Sequence, residues 1–286
     1  MKLVQKVGGC ATRNRQLIRN NALYTSSDTF NMTVENYLLA AMPVELYDQL
    51  APNLKRVTLQ SGQMLHDPGD IIEDLYFPID CALSITITML DGRTAETGII
   101  GKREVIGVNA FMGKKETTQT TYIVQVPGTA FKINAGLLLF EFDRNKDLRD
   151  VLLSYTQALI AQISQTTACN RLHTLEQRLA RWLLEVEDRV ESNSLSLTQE
   201  FISNMLGVRR AGVTQAAQKL QESGIIRYTR GHVDILDLQG LEAASCECFR
   251  VVKNEYDRLL GEKRKAPLGM MTNERETKHT PDNLVN

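Results

Sequence analysis

Apolar and polar positions change rhythm several times along the chain. Residues 34–51, VENYLLAAMPVELYDQLA, group their apolar positions around Pro43, which removes an amide donor and restricts the residue before it. One or two short helices are expected there. From Leu54 the texture becomes β-branched and is broken by the turn signals Pro68-Gly69-Asp70 and Asp91-Gly92-Arg93. Between them Leu83, Ile85, Ile87 and Met89 alternate with Ser84, Thr86 and Thr88, the pattern of a strand with one buried and one polar face. Thr121–Val126 and Thr129–Ile133 read as a further strand pair, turning at Pro127-Gly128. Many short strands joined by short turns predict a sandwich or small barrel.

Around Asn134 the period becomes helical. Residues 147–170 form a long expected helix, on which Leu152, Tyr155, Leu159, Gln162, Thr166 and Cys169 recur at a four-three spacing. That stripe fits an intramolecular packing face or a coiled-coil-like seam between two subunits. The seam is favoured, because a long helix leaving a β domain must bury its apolar side. A second helix, Leu175–Val190, carries Leu175, Leu179, Trp182, Leu183 and Val186 on one side, with Trp182 in the core. Another helix is expected over 239–260. Residues 1–32 show no sustained period, and 261–286 have few large apolar side chains. The expected division is a flexible arm (1–32), a β domain (33–146), a long dimerisation helix (147–170), a small C-terminal domain (171–238), its trailing helix (239–260) and a disordered tail (261–286).

The small domain carries the most specific pattern, in LSLTQEFISNMLGVRRAGVTQAAQKLQESGIIRYTRGHVDILDL. Thr198 can cap a helix beginning at Gln199, with Phe201, Ile202, Met205 and Leu206 as its apolar face; Gly207 ends it. A second helix starts near Arg210, with Val213, Ala216, Ala217 and Leu220 inward and Arg209, Arg210, Gly212, Thr214 and Gln215 near its start or outward. Gly224 ends that helix, and Ile225–Ile235 reads as a hairpin turning at Arg230-Gly231. Two tightly joined helices followed by a basic hairpin are a winged helix-turn-helix, which presents its second helix to the DNA major groove. Arginine offers a planar donor fork to guanine or phosphate, and glutamine can pair bidentately with adenine. Thr198 or Gln199 adds a contact from the first helix, and Arg227, Arg230 and His232 can reach phosphate or minor groove from the wing.

Charge supports this placement. The formal net charge of the 286 residues is only −1. Between Ser203 and Val233, however, Arg209, Arg210, Lys219, Arg227 and Arg230 face a single acid, Glu222. An apolar content of 43% is that of a globular protein. No apolar run is long enough for a membrane span, and the first residues do not read as a secretory signal, so a cytoplasmic protein is expected. The five cysteines are scattered and odd in number, which argues against a disulfide framework. Of the close pair in Cys246-Glu247-Cys248, Cys246 is expected to pack on a helix face and Cys248 not. No metal, cofactor or catalytic residue is expected. The acidic group Asp67, Asp70, Glu73 and Asp74 beside His66 could imitate metal chemistry, but Asp67-Pro68-Gly69-Asp70 is more simply a turn, and no catalytic motif accompanies it.

With both halves laid out, residues 33–237 resemble the CRP/FNR family of bacterial transcription regulators. The resemblance rests on LQSGQMLHDPGDIIEDLYFPIDCALSI and GIIGKREVIGVNAF in the first half, and on LTQEFISNMLGVRRAGVTQAAQKLQESGIIRYTRGHVDI in the second. QGLEAA with the following CECF resembles a C-terminal extension of one branch. The family implies an α+β fold: a cyclic-nucleotide-binding-like β-roll (a double-stranded β-helix or jelly-roll), a long dimerisation helix and a C-terminal winged helix. It also implies a homodimer on a two-fold related DNA site, contact with RNA polymerase, and control by a small-molecule effector.

Two departures from the family pattern matter. Nucleotide-binding members follow a cassette glycine with a ribose-holding glutamate and, later, an arginine-serine pair for the phosphate. Here Gly107 matches the glycine, but Val108 stands in the glutamate position and Thr120-Thr121 fall near the arginine-serine position. No arginine occurs between Glu104 and Asp143, and Lys114 and Lys115 lack the bidentate fork. The pocket is therefore expected to be degenerate and the protein not controlled by cAMP. The four cysteine ligands of the oxygen-sensing branch are missing, and His66 near the roll could serve as an axial ligand for haem, although a lone histidine there is more often structural. On the recognition helix Arg210 matches a family arginine, but Ala211 replaces a base-reading glutamate and Gln215 a later arginine. A different operator follows, in which Ala211 can meet a thymine methyl. The competing reading is a dimerisation or small-molecule-sensing protein that has lost sequence-specific DNA binding. The two differ in whether Arg209, Arg210 and Arg230 form one exposed positive surface.

Overall fold

A computed structural model describes residues 34–113 and 117–261 of the chain. The arm expected over 1–32 and, beyond Gly261, the tail expected over 261–286 lie outside the described residues, as do Cys10, Lys114 and Lys115. Two short helices open the described chain, α1 (Tyr37–Ala40) and α2 (Val44–Leu50), separated at Pro43, which stands before the first residue of α2. Asn36 caps α1 by accepting from the amides of Leu38 and Leu39, and its own amide donates to the carbonyls of Pro78 and Glu104. The helices are thereby fastened to the β domain.

Among the described residues, seven strands make that domain: β1 (Lys55–Leu59), β2 (Met64–His66), β3 (Asp74–Pro78), β4 (Ala82–Thr88), β5 (Thr94–Ile100), β6 (Thr121–Val126) and β7 (Gly128–Asn134), with α3 (Asn109–Met112) between β5 and β6. They form two antiparallel sheets, ordered β1-β7-β3 and β2-β6-β4-β5. The expected pairing of Thr121–Val126 with Thr129–Ile133 is therefore corrected. Pro127 marks a crossing from one sheet to the other, so β6 and β7 pair with distant strands instead of with each other. Local turn chemistry shows where the chain bends, but the partner of each strand is a long-range matter.

The alternation along β4 also means something other than one wet face. Ser84 and Thr86 are buried together with Leu83 and Ile85, whereas Ile87 and Met89 are exposed. The hydroxyl of Ser84 donates to Gln125 and that of Thr86 to the Thr121 carbonyl. The body of β4 is thus covered on both faces, and the β4–β5 hairpin tip projects beyond the core.

After α4 (Ala135–Arg144), Asn145 caps the long helix α5 (Lys146–Leu172). The expected inter-subunit seam is corrected too: Leu152, Tyr155, Leu159, Gln162, Thr166 and Cys169 are all buried within the chain. Tyr155 donates to the Val105 carbonyl at 2.8 Å and Gln162 to that of Ile99 at 3.1 Å, so these polar members face the β domain. The opposite face leaves Leu153 and Ile160 exposed.

Helix α6 (Leu175–Val190) begins at a capping box in which Thr174 and Gln177 satisfy each other's backbone amides. Then follow β8 (Ser194–Leu195), α7 (Gln199–Met205), α8 (Arg210–Glu222), β9 (Ile226–Thr229) and β10 (His232–Ile235), with the strands in a small antiparallel sheet of order β8-β10-β9. Where one helix was expected over 239–260 there are two, α9 (Leu238–Ala244) and α10 (Cys248–Leu260), broken at Ser245–Glu247. Val252 and Tyr256 of α10 join the core of the β domain and α5, while Phe249 joins that of the winged domain.

Candidate nucleic-acid interface

The helix-turn-helix is held by features legible in its residues. Thr198 caps α7, its hydroxyl accepting from the Phe201 amide at 3.1 Å. Gly207 adopts φ +62°, where a side chain would be strained, and turns the chain into α8. Val213, Ala216, Ala217 and Leu220 are buried against the α6 core that includes Trp182, Leu183 and Val186. Gly212, expected near the outer side, is turned inward: a Cβ there would come within 2.9 Å of Leu175 Cδ2. Its hydrogen lets α8 lie close on α6.

The other predicted residues face outward. Thr198, Arg209, Arg210, Ala211, Thr214, Gln215, Arg227 and Arg230 are exposed, and Gln199 is half-buried. Thr214 donates to Gln199 Oε1 at 2.9 Å, so the first helix braces the second through two side chains that also face solvent. Gln218, which the sequence reading did not name, is exposed on the same face but is held by Glu222 at 2.8 Å. Lys219 is paired with Glu176. By contrast, none of the ion pairs among the described residues uses Arg209, Arg210, Arg227 or Arg230.

The wing turns through Arg230 at φ +37° and Gly231 at φ +84°, the tight hairpin geometry that needs two left-handed residues. His232 is engaged within the wing, with Ser194 Oγ 2.7 Å from Nε2 and Ser196 Oγ 3.3 Å from Nδ1. It shapes the wing, while Arg227 and Arg230 carry its open charge.

In the β domain, Gly107 takes φ +95° and lies so close to Ile72 that a Cβ would meet Cγ2 at 3.0 Å. Val108 follows as the residue before α3 and is buried in the apolar core. Thr120 is turned onto Thr118, whose hydroxyl accepts from the Thr120 amide at 3.0 Å, and Thr121 pairs in register with Thr86. The four positions read as a degenerate pocket thus supply no charged group. His66 packs edge-on against Tyr76 and Tyr122, at centroid separations of 6.0 and 5.8 Å, and desolvation lowers its pKa. Its acidic neighbours are used structurally: Asp70 accepts from the Asp67 amide within the turn, and Asp74 pairs with Lys132 at 2.7 Å.

Two family models match the chain, the cyclic nucleotide-binding domain over residues 56–145 and the Crp-like helix-turn-helix domain over residues 177–244. The chain belongs to the CRP/FNR family. A comparison with curated proteins finds no match. Solved structures share the fold. FixK2 from Bradyrhizobium japonicum is 15% identical at a TM-score of 0.58, over 68% of this chain and 98% of that one. A CRP-family transcriptional regulator from Thermus thermophilus is 17% identical at 0.56, over 67% and 96%. The c-di-GMP responsive global regulator CLP from Xanthomonas campestris is 15% identical at 0.56, over 68% and 99%. The family is one of transcription regulators and not of enzymes. No helix among the described residues is long and apolar enough to cross a membrane.

In this CRP/FNR regulator the β-roll and the winged helix are joined by a buried polar seam. Trp182 Nε1 of α6 donates to Glu96 of β5 at 2.9 Å, and Arg189 pairs with Glu104 at 3.1 Å. Gly101 permits this closeness, since a Cβ would fall 2.4 Å from that of Arg189. Burial pushes the Glu96 carboxyl up to about 7. A second contact lies at the hairpin tip, where Ala95 Cβ would be 3.6 Å from a Cβ on Gly207, at the turn of the DNA-reading motif.

Proposed function

We propose that this regulator binds, as a homodimer and without cAMP or cGMP, a two-fold symmetric DNA site in the cytoplasm. The observation that carries the reading is the set of exposed cations Arg209, Arg210, Arg227 and Arg230, at the start of α8 and on the wing, outside every ion pair among the described residues. Unpaired surface arginines on one small domain are suited to phosphates and guanine edges, and their effect is screened by salt. Arg209 and Arg210 approach the groove first, Ala211, Thr214 and Gln215 face bases, and Thr198, Gln199, Arg227 and Arg230 hold phosphates. His232 supports the wing. In this reading, residues 33–146 are the sensor and 171–238 the DNA-binding domain.

The dimer seam moves to the outer face of α5, where Leu153, Gln157, Ile160 and Ser164 follow a four-three-four spacing and are all exposed. Two recognition helices would then reach successive major grooves, about 34 Å apart. An effector other than a cyclic nucleotide would act through the Glu96–Trp182 and Glu104–Arg189 seam, and contact with RNA polymerase would follow from bound position on the promoter.

The test is selection of genomic DNA fragments by the purified protein with no nucleotide added, with Arg210→Ala as the control. A short two-fold symmetric site lost in the variant is the expected result. A folded, dimeric protein that enriches no sequence would support the rival sensing or scaffold role.

A further inference from the structure

Four side chains with metal-binding chemistry meet where the long helix hands over to the winged domain. Cys169 lies in the last turn of α5 and His173 is the C-cap of that helix. A spacing of four puts them on one side. Cys246 lies in the break between α9 and α10 and Cys248 opens α10, and both are buried, correcting the expectation that only Cys246 packs. The fold sets Cys169 Sγ 3.5 Å from Cys246 Sγ and Cys248 Sγ 3.5 Å from His173 Nδ1. All four ligand atoms lie within 4.8 Å of one another.

We propose that Cys169, His173, Cys246 and Cys248 form a tetrahedral zinc site that fastens the α5–α6 hinge to the C-terminal helix. Three thiolates and one imidazole are a closed structural zinc set. With metal–sulfur arms of about 2.3 Å, a regular tetrahedron has edges of about 3.8 Å, close to the separations found before any adjustment. An iron–sulfur cluster spreads its ligands over more than one iron and needs a wider cage. A Cys169–Cys246 disulfide would use two of the four groups and give no role to the pairing of Cys248 with His173.

The surroundings fit the same assignment. His173 Nε2 faces Glu247 Oε2 at 3.4 Å, which leaves Nδ1 for the metal; a carboxylate on the outer nitrogen is the usual partner of a ligating histidine. Gln165 Nε2 lies 3.0 Å from Cys248 Sγ and can donate to the thiolate. Loading a dication would release the three thiol protons to solvent and leave the site with one net negative charge. Thr174, the cap of α6, directly follows His173, so the site would fix the angle at which the winged domain leaves α5.

The experiment uses the full chain, purified under reducing conditions without chelator. Elemental analysis is expected to find about one zinc per chain. After exchange, cobalt(II) should give the intense visible bands of a tetrahedral thiolate site. Cys169→Ser and Cys246→Ser should lose these bands, whereas Cys81→Ser should keep them, because that thiol donates to the Thr129 carbonyl inside the β-roll. If the cysteine variants do not fold, His173→Ala, at a half-buried position, should shift the bands and weaken binding. Wild-type protein that holds no stoichiometric metal and gives no cobalt–thiolate bands would overturn the proposal. So would iron with acid-labile sulfide, or a Cys169–Cys246 disulfide trapped by alkylation at lysis.

Discussion

At the turn before α3, the β-roll buries Val108 among apolar side chains, where a nucleotide-binding relative would place a carboxylate. At the turn before α8, the winged helix leaves Arg209 and Arg210 in solvent. Both turns depend on a left-handed glycine, Gly107 in the roll and Gly207 in the winged helix. Among the described residues, the backbone devices of the family are therefore present in both halves, but the charges that would use them are present in only one. Backbone geometry and ligand chemistry are separable, and the match of a domain to its fold family does not carry its ligand with it.

The seam between the halves is where the comparison can be broken most violently. Glu104 is buried and its carboxylate faces Arg189, which is buried as well. Glu104→Ala would remove the carboxylate that pairs directly with that buried guanidinium and should cost about 3–5 kcal/mol of stability, read by denaturant unfolding. A loss below about 1 kcal/mol would mean that the bonds from Arg189 to the carbonyls of Ile99 and Glu185 suffice.

Glu96 gives the opposite sign. Its carboxyl is raised from 4.5 to about 7, first because burial disfavours the charged form. Between those values the folded protein holds a proton that the unfolded chain has lost, so stability falls as pH rises through this window and is flat above it. Glu96→Gln removes that loss. The variant should match the wild type near pH 4 and be more stable by about 3 kcal/mol at pH 8. An unchanged pH profile would show that the carboxylate is solvated or compensated in solution.

On the DNA side, Arg210→Ala should weaken binding to the selected site by about 1–3 kcal/mol, or roughly 5- to 150-fold, and relax preference at one base position. Arg230→Ala should weaken binding to all sequences alike and flatten the salt dependence. If both variants behaved like the second, α8 would be positioning the protein without reading bases. Titrations at two salt concentrations separate the cases.

The winged half was the more legible in the sequence, because its boundaries are set locally. Thr198, Gly207, Gly224 and the Arg230-Gly231 turn each terminate or start an element by their own backbone chemistry, and α7, α8 and the hairpin begin and end beside them. In the roll the turns were legible and the partnerships were not: nothing near Pro127 tells β6 to pair with β2 and β4. The stripe on α5 was seen, but its destination depended on the β domain and on α10, which lies far along the chain, and together these cover the side that a partner subunit was expected to cover. Cys169 and His173 were invisible as a pair with Cys246 and Cys248 for the same reason, since the two halves of the cluster meet only after the chain has passed through the whole winged domain.

The smallest expected effect is on the roll itself, and it decides whether its charge was lost or merely relocated. Adding about 1 mM cAMP to a protein that bound it with a Kd of about 10 μM would contribute about 2.7 kcal/mol. For a chain of this size that would raise Tm by about 5 °C or more. The expected shift is none, because Val108 and Thr118–Thr120 offer no guanidinium to a buried phosphate, whose desolvation would go uncompensated. A clear rise would require another cation at the cradle. The difference between the two halves would then narrow from loss of charge to a change in the residue that carries it.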